Sequence, residues 1–161
     1  MEFLLYERKF KLIGEDLFSF YKRGNTKTEK WYKIKLKIDN GYNRFAFHVE
    51  GKKKNFQFHR VVYYAHNNQW DLFDNSKENV IDHIDNVKTN NHISNLRNVS
   101  QQENSFNTRC KGYTFRKESN KYEAQIQLNG KLTYIGRYDT EEDAHEAYLN
   151  KKEKYHKIRA R

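Results

Sequence analysis

The sequence predicts an α+β protein made of small antiparallel sheets backed by short helices, and three observations carry that expectation. With 161 residues and a hydrophobic content of 36%, the chain can bury only modest cores. Its apolar material is rich in rings, twelve Tyr and eleven Phe against one Met, and rings with β-branched neighbours pack well on pleated surfaces. Short runs of apolar and polar alternation also recur, separated by two-residue turn signals.

The elements follow in order. Between residues 31 and 38, Tyr32, Ile34, Leu36 and Ile38 fall on one side and Lys33, Lys35 and Lys37 on the other, as one half-buried strand would place them. Residues 44–49 alternate similarly, and Asp39-Asn40-Gly41 and Glu50-Gly51-Lys52 mark turns, so residues 1–58 read as a small antiparallel sheet with a basic face. A short helix is expected over 59–66, with Val62, Tyr63 and His66 on one stripe. Residues 79–107 hold eight Asn, which suits a loop pinned by side-chain hydrogen bonds between strands at 80–83 and 96–99. Ser100-Gln101-Gln102-Glu103 has the form of a capping box and predicts a helix containing Asn104. Alternating runs at 113–117, 122–128 and 131–138 follow, the last two joined by Asn129-Gly130, a hairpin signal. Thr140-Glu141-Glu142-Asp143 then caps a helix with Ala144, Ala147 and Tyr148 on one face. The expected domain organisation is therefore 1–58, 59–108 and 109–161.

Charge narrows the function. The formal net charge is +10, and it is unevenly spread: residues 1–60 sum to +8, 61–108 to −3 and 109–161 to +5. Two basic flanks around an acidic centre suit a protein whose flanks neutralise phosphates while its centre holds a cation. A single cysteine, Cys110, excludes an internal disulfide framework and a multi-thiolate zinc site, and points to an intracellular compartment. The longest apolar runs, such as residues 3–6, are far too short to span a membrane, so a soluble protein without a membrane partner is expected.

Phosphodiester hydrolysis needs a base for water, a cation for the developing charge and a scaffold that holds both. Asp82 offers a hard carboxylate for Mg²⁺ or Mn²⁺, His83 an imidazole of suitable basicity and Asn104 a neutral carbonyl oxygen. Neighbours on a regular strand face opposite ways, so Asp82 and His83 can serve one phosphate only at a strand end or irregularity. His92, in the loop, and Asp85, in a turn position, are weaker ligand candidates, and His59 with Arg60 is expected to pack or to touch a phosphate.

The stretch Ile81-Asp82-His83-Ile84-Asp85-Asn86, continuing through Asn95-Leu96-Arg97 to Glu103-Asn104-Ser105-Phe106-Asn107, resembles the HNH endonucleases, especially those related to phage homing endonucleases; Phe58-His59-Arg60-Val61-Val62 resembles the helix leading into that motif. The resemblance implies a ββα-metal fold in which Asp82 and Asn104 bind the ion, His83 is the general base and Asn95 ties down the loop that orients His83. Asn104 stands where the archetype has His, a departure common in the homing subgroup that implies weaker ligation.

Further on, Lys111-Gly112-Tyr113-Thr114-Phe115-Arg116, Tyr122-Glu123-Ala124-Gln125-Ile126, Tyr134-Ile135-Gly136-Arg137-Tyr138 and Glu142-Asp143-Ala144-His145-Glu146-Ala147-Tyr148 resemble an AP2 domain, a DNA reader of three strands packed on one helix. By that resemblance the open sheet face enters the major groove of double-stranded DNA, with Lys111, Thr114, Arg116, Glu123, Gln125, Gln127 and Tyr134 as DNA contacts. Phe115, Tyr122, Ala124, Ile126 and Ile135 would face the core, joined by Tyr138 only if a bulge at Gly136 resets the alternation. Thr114, Gln125 and Leu132 stand where plant members carry arginines, and Gln pairs better with adenine, which leans the expected target toward A/T-containing sites. The whole reads as a metal-dependent, site-recognising DNA endonuclease, able to act as a monomer and with a phage or viral gene as a fitting source. The rival reading is a non-catalytic DNA-binding regulator, which would have no need of Asp82, His83 and Asn104 together.

Overall fold

A computed structural model describes residues 1–22, 29–128 and 130–158. The chain divides into two units, Met1–Ser100 and Gln101–Arg159.

In the first unit, strands β1 (Glu2–Leu5), β2 (Arg8–Ile13), β3 (Asp16–Lys22) and β4 (Glu29–Lys33) form an antiparallel sheet in sequence order. A second sheet joins β5 (Lys37–Asp39), β6 (Tyr42–Val49) and β7 (Lys52–Gln57). The single strand expected over 31–38 is thus split between two sheets. Ile34 N–H still donates to Leu17 O (2.8 Å), after which the chain leaves β3 and crosses to β6. Ile34 and Leu36 pack on the core during the crossing, while Ile38 ends 71% exposed, so the face predicted for it is wrong. Both expected turns form: Asn40 and Gly41 (φ 49° and 81°) and Glu50 and Gly51 (φ 50° and 75°) have the paired positive φ of type I′ hairpins.

Helix α1 (Phe58–His66) follows β7 directly. It buries Phe58, His59, Val61, Val62 and Tyr63, whereas His66, expected on the apolar stripe, is exposed with Nδ1 within 2.9 Å of Val62 O. The core is ring-dominated as composition requires: Phe10, Phe45, Phe47 and Phe58 pack with Leu12, Leu17, Val61, Ile81 and Leu96. Strands β8 (Val80–His83) and β9 (Leu96–Val99) pair antiparallel over the expected residues, with a single 3₁₀ turn, Ile93–Asn95, before β9.

The second unit begins with α2 (Gln101–Phe106), the helix expected after Ser100, and continues with β10 (Tyr113–Arg116), β11 (Lys121–Leu128), β12 (Lys131–Tyr138) and α3 (Glu141–Tyr155). The three strands form one antiparallel sheet in that order. Leu128 pairs with Lys131; of the two turn residues between them, Gly130 has φ 78° and Asn129 lies outside the described residues. Thr140 caps α3, its Oγ1 accepting from Asp143 N–H (3.1 Å). Ala124, Ile126, Ala144 and Tyr148 are buried, as a sheet covered by one helix face requires. The bulge falls one residue before the expected place: Ala124 pairs with Gly136 and Gln125 with Tyr134, leaving Ile135 between them. Tyr138 is consequently half-buried, its hydroxyl lying over Gly136. Phe115, expected in the core, is 43% exposed and rests on Tyr122 with ring centroids 5.0 Å apart; it sits on the edge strand, where the helix gives less cover. No helix among the described residues is long and apolar enough to cross a membrane.

Candidate functional site

The register of β8 and β9 builds the centre of the first site. Asp82 lies opposite Arg97 and His83 opposite Leu96, and Asp82 and His83 are both 5% exposed. Arg97 answers the carboxylate across the ladder, Nε and Nη2 both donating to Asp82 Oδ2 at 2.9 and 2.8 Å. A guanidinium fixed on a buried carboxylate offsets the cost of desolvating it. His83 is the last residue of β8, and Asn86 N–H bonds back to its carbonyl at 2.9 Å in the following turn. It therefore stands at a strand end, as simultaneous use of neighbouring side chains requires.

The His83 ring is held on two sides. Its Nε2 donates to Asn91 Oδ1 at 3.2 Å, so with the amide oxygen as acceptor the neutral ring carries its proton on Nε2 and Nδ1 is the basic nitrogen. His59 packs against it edge to face with centroids 4.9 Å apart, and Tyr42 lies within 5.2 Å of His59 and 6.0 Å of His83. His59 is 4% exposed, and its Nδ1 has no hydrogen-bond partner among the described residues. Burial first, then the proximity of His83, Arg60 and Arg44, lowers the His59 pKa from 6.5 to about 3, so this ring is neutral in the fold.

The loop between the strands is tied by Asn95. Its Oδ1 accepts from Asp85 N–H (3.0 Å), and its Nδ2 donates to Asp85 Oδ1 and to Asn90 O, both at 2.9 Å. Ile84 N–H closes the stitch on Asn95 O at 2.9 Å. Asp85 is a turn residue: the Val87 amide on its Oδ1 is the main reason its pKa is lowered. His92 caps the 3₁₀ turn, with Nδ1 2.7 Å from Ser94 Oγ. Arg60, expected to pack or meet a phosphate, spends its guanidinium on the carbonyls of Asn79, Leu72 and Asp74 at 2.8–3.0 Å and so anchors the loop after α1.

Asn104 lies half-buried on α2, in the second unit, with its carbonyl accepting from Asn107 N–H at 3.2 Å. Asp82 and Asn104 are both hard oxygen donors, suited to a small divalent cation. No three His, Cys, Asp or Glu side chains cluster as a metal site among the described residues.

A second candidate surface is the open face of the β10–β12 sheet. Register brings Thr114, Arg116, Glu123, Gln125, Gln127 and Tyr134 to this side, together with Leu132 and Arg137. Thr114, Arg116 and Gln127 are exposed and Tyr134 is 57% exposed. Glu123 departs from the expectation of an outward contact, being 8% exposed beneath two arginines. Lys111 is exposed, with its carbonyl 2.7 Å from His145 Nδ1 and its Nζ near the Tyr113 ring. Sequence reading places Arg97 and Arg137 within the two resemblances and reads Asn91 as a loop hydrogen-bonder, but gives none of the three a role in a site. Pairing 80–83 against 96–99 antiparallel would have put Arg97 opposite Asp82, but the reach of Asn91 depends on loop conformation and carries no sequence signal.

Residues 56–106 match the family model of the HNH endonucleases, a span running from the end of β7 through α2 and covering less than half of the chain. That span is similar to the catalytic domain of a class of nucleases, and an HNH domain is thereby present in the chain. No curated protein and no solved structure matches the chain.

Proposed function

We propose that the protein is a metal-dependent DNA endonuclease of the site-recognising, homing type, hydrolysing phosphodiester bonds with its HNH segment and reading the duplex with the β10–β12 face. The observation that carries this reading is the buried Asp82-His83 step at a strand end, inside the span that matches the HNH endonucleases. His83 is the general base: the Asn91 bond keeps the proton on Nε2, so that Nδ1 takes the proton of the attacking water. Asn95 fixes the loop that carries Asn91 and so acts as a positioning residue. Asp82 and Asn104 would hold Mg²⁺ or Mn²⁺, which when bound supplies Lewis acidity to a phosphate oxygen. The three parts of the chain, 1–58, 59–108 and 109–161, would serve as basic flank, nuclease and reader. Lys111, Thr114, Arg116, Gln125, Gln127 and Tyr134 meet the DNA directly.

Purified protein incubated with plasmid DNA and Mg²⁺ tests the reading. Cleavage should stop in EDTA, and His83→Ala should slow it by about 10²- to 10⁴-fold while DNA binding persists. Cleavage that survives EDTA or His83→Ala would discard the mechanism, and binding without cleavage on diverse DNA would favour a regulator.

A further inference from the structure

The reader face holds a charged network that alternation alone does not reveal. Arg116 Nη2 donates to Glu123 Oε1 at 2.9 Å and Arg137 Nε donates to Glu123 Oε2 at 3.2 Å, one guanidinium on each oxygen. Gln125 Nε2 also donates to Oε1. The carboxylate side chain is 10% exposed, whereas Arg116 and Arg137 are 44% and 53% exposed. The carboxylate therefore lies low on the sheet with both cations above it, and the Arg116 hydrogen bond leads the causes that keep it ionised well below the usual carboxylate range.

Such a network settles what each group can do for a nucleic acid. A carboxylate whose oxygens are both engaged is badly placed to accept from a cytosine amine. Arg137, bound through Nε, keeps its terminal Nη1 and Nη2 pair, the fork that fits the O6 and N7 acceptors of guanine, whereas Arg116 spends Nη2 of that pair on the carboxylate. Fixing a guanidinium in advance also reduces the rotamer entropy lost on binding. Gln125, engaged with the same carboxylate, is correspondingly less available for an adenine edge.

We infer that Arg137 is a guanine-reading arginine and that Glu123 is the residue that positions it, so that the duplex this face selects contains a guanine rather than A/T pairs alone. The assignment rests on the sheet face being the DNA reader. It adds Arg137 to that face and moves Glu123 from base contact to support.

The test is selection of bound duplexes from a randomised pool by the full chain in EDTA, followed by affinity measurements on the selected site and on single G substitutions. Wild type should select a guanine whose replacement weakens binding by about 5- to 150-fold. Arg137→Ala should erase discrimination at that guanine, whereas Arg116→Ala should weaken binding without erasing that discrimination. Arg137→Lys should keep affinity within a few fold while losing its guanine, because charge survives and the fork does not. Glu123→Gln should lower guanine discrimination while overall affinity holds or rises and its salt dependence steepens, since a negative charge has left the face. A purely structural Glu123 would instead lower affinity for all sequences together. Selection of guanine-free sites, or Glu123→Gln losing a cytosine preference, would overturn the inference. Binding indifferent to Arg116, Gln127 and Tyr134 substitutions would instead refute the reader itself, so the two failures are distinguishable.

Discussion

Acid should weaken the first unit through one buried ring, His59. Its pKa is lowered from 6.5 to about 3, so the unfolded chain takes up a proton near pH 6.5 that the folded chain refuses until about pH 3. The unfolded state then binds more protons throughout that interval, and stability falls as pH is lowered across it. Each pH unit is worth about 1.4 kcal/mol, so between pH 8 and pH 5 this one group removes about 2 kcal/mol. That is a large part of the stability of a small domain. Both tryptophans, Trp31 and Trp70, belong to this unit, and Trp70 packs on Tyr63 of α1 with centroids 5.3 Å apart. Their fluorescence in urea titrations therefore reports on the region in question. His59→Phe keeps a ring in the pocket, removes the orphaned Nδ1 and should cut the pH 8 to pH 5 stability difference by about 2 kcal/mol. If wild type and variant show the same difference, His59 is not the group that titrates and the burial argument fails.

Other outcomes follow from single contacts. Asn95→Ala removes bonds to the Asp85 amide, the Asp85 carboxylate and the Asn90 carbonyl and should cost about 1–3 kcal/mol, with faster amide exchange at Asp85; unchanged exchange there would show that the loop does not need the stitch. Arg97→Met leaves the Asp82 carboxylate buried without its guanidinium and should destabilise by about 3–5 kcal/mol in urea unfolding, most of which Asp82→Asn should restore in the double variant. Gly112→Ala would set a Cβ 1.9 Å from Cγ of Tyr148 at a φ of 74°, two faults that together should cost about 3 kcal/mol or more and abolish the folded NMR signature of the second unit.

Where a sequence signal was local, it located the structure closely. The hairpin turns at 40–41 and 50–51 were legible because Asn40, Gly41 and Gly51 tolerate positive φ, and strands 80–83 and 96–99 because the Asn-rich loop delimits them. The 31–38 run misled because alternation records which residues face a core and not which sheet they join; Ile34 and Leu36 do face it while the chain changes partner. Asp82 and His83 stand out by residue type and His59 is expected to pack or to touch a phosphate, but its contact with the His83 ring follows from the packing of α1, which no local signal records. Likewise the bulge at Ile135, one place from the glycine that suggested it, follows from strand register that no single run of residues encodes.

The ion pair between Arg97 and Asp82 has a consequence for the order in which the protein matures. In a zinc finger the metal supplies the folding free energy, and chelation unfolds the domain. Here a guanidinium already balances the carboxylate from within the β-ladder, so the strand pair that carries Asp82 needs no cation to hold it together. Chelation should silence such a protein without melting it: EDTA would end cleavage at an unchanged Tm, and readdition of Mg²⁺ would restore it without a refolding lag. On the proposed function, such a nuclease would be made, stored and carried to its substrate fully folded, with the cation acting as a trigger and not as a strut.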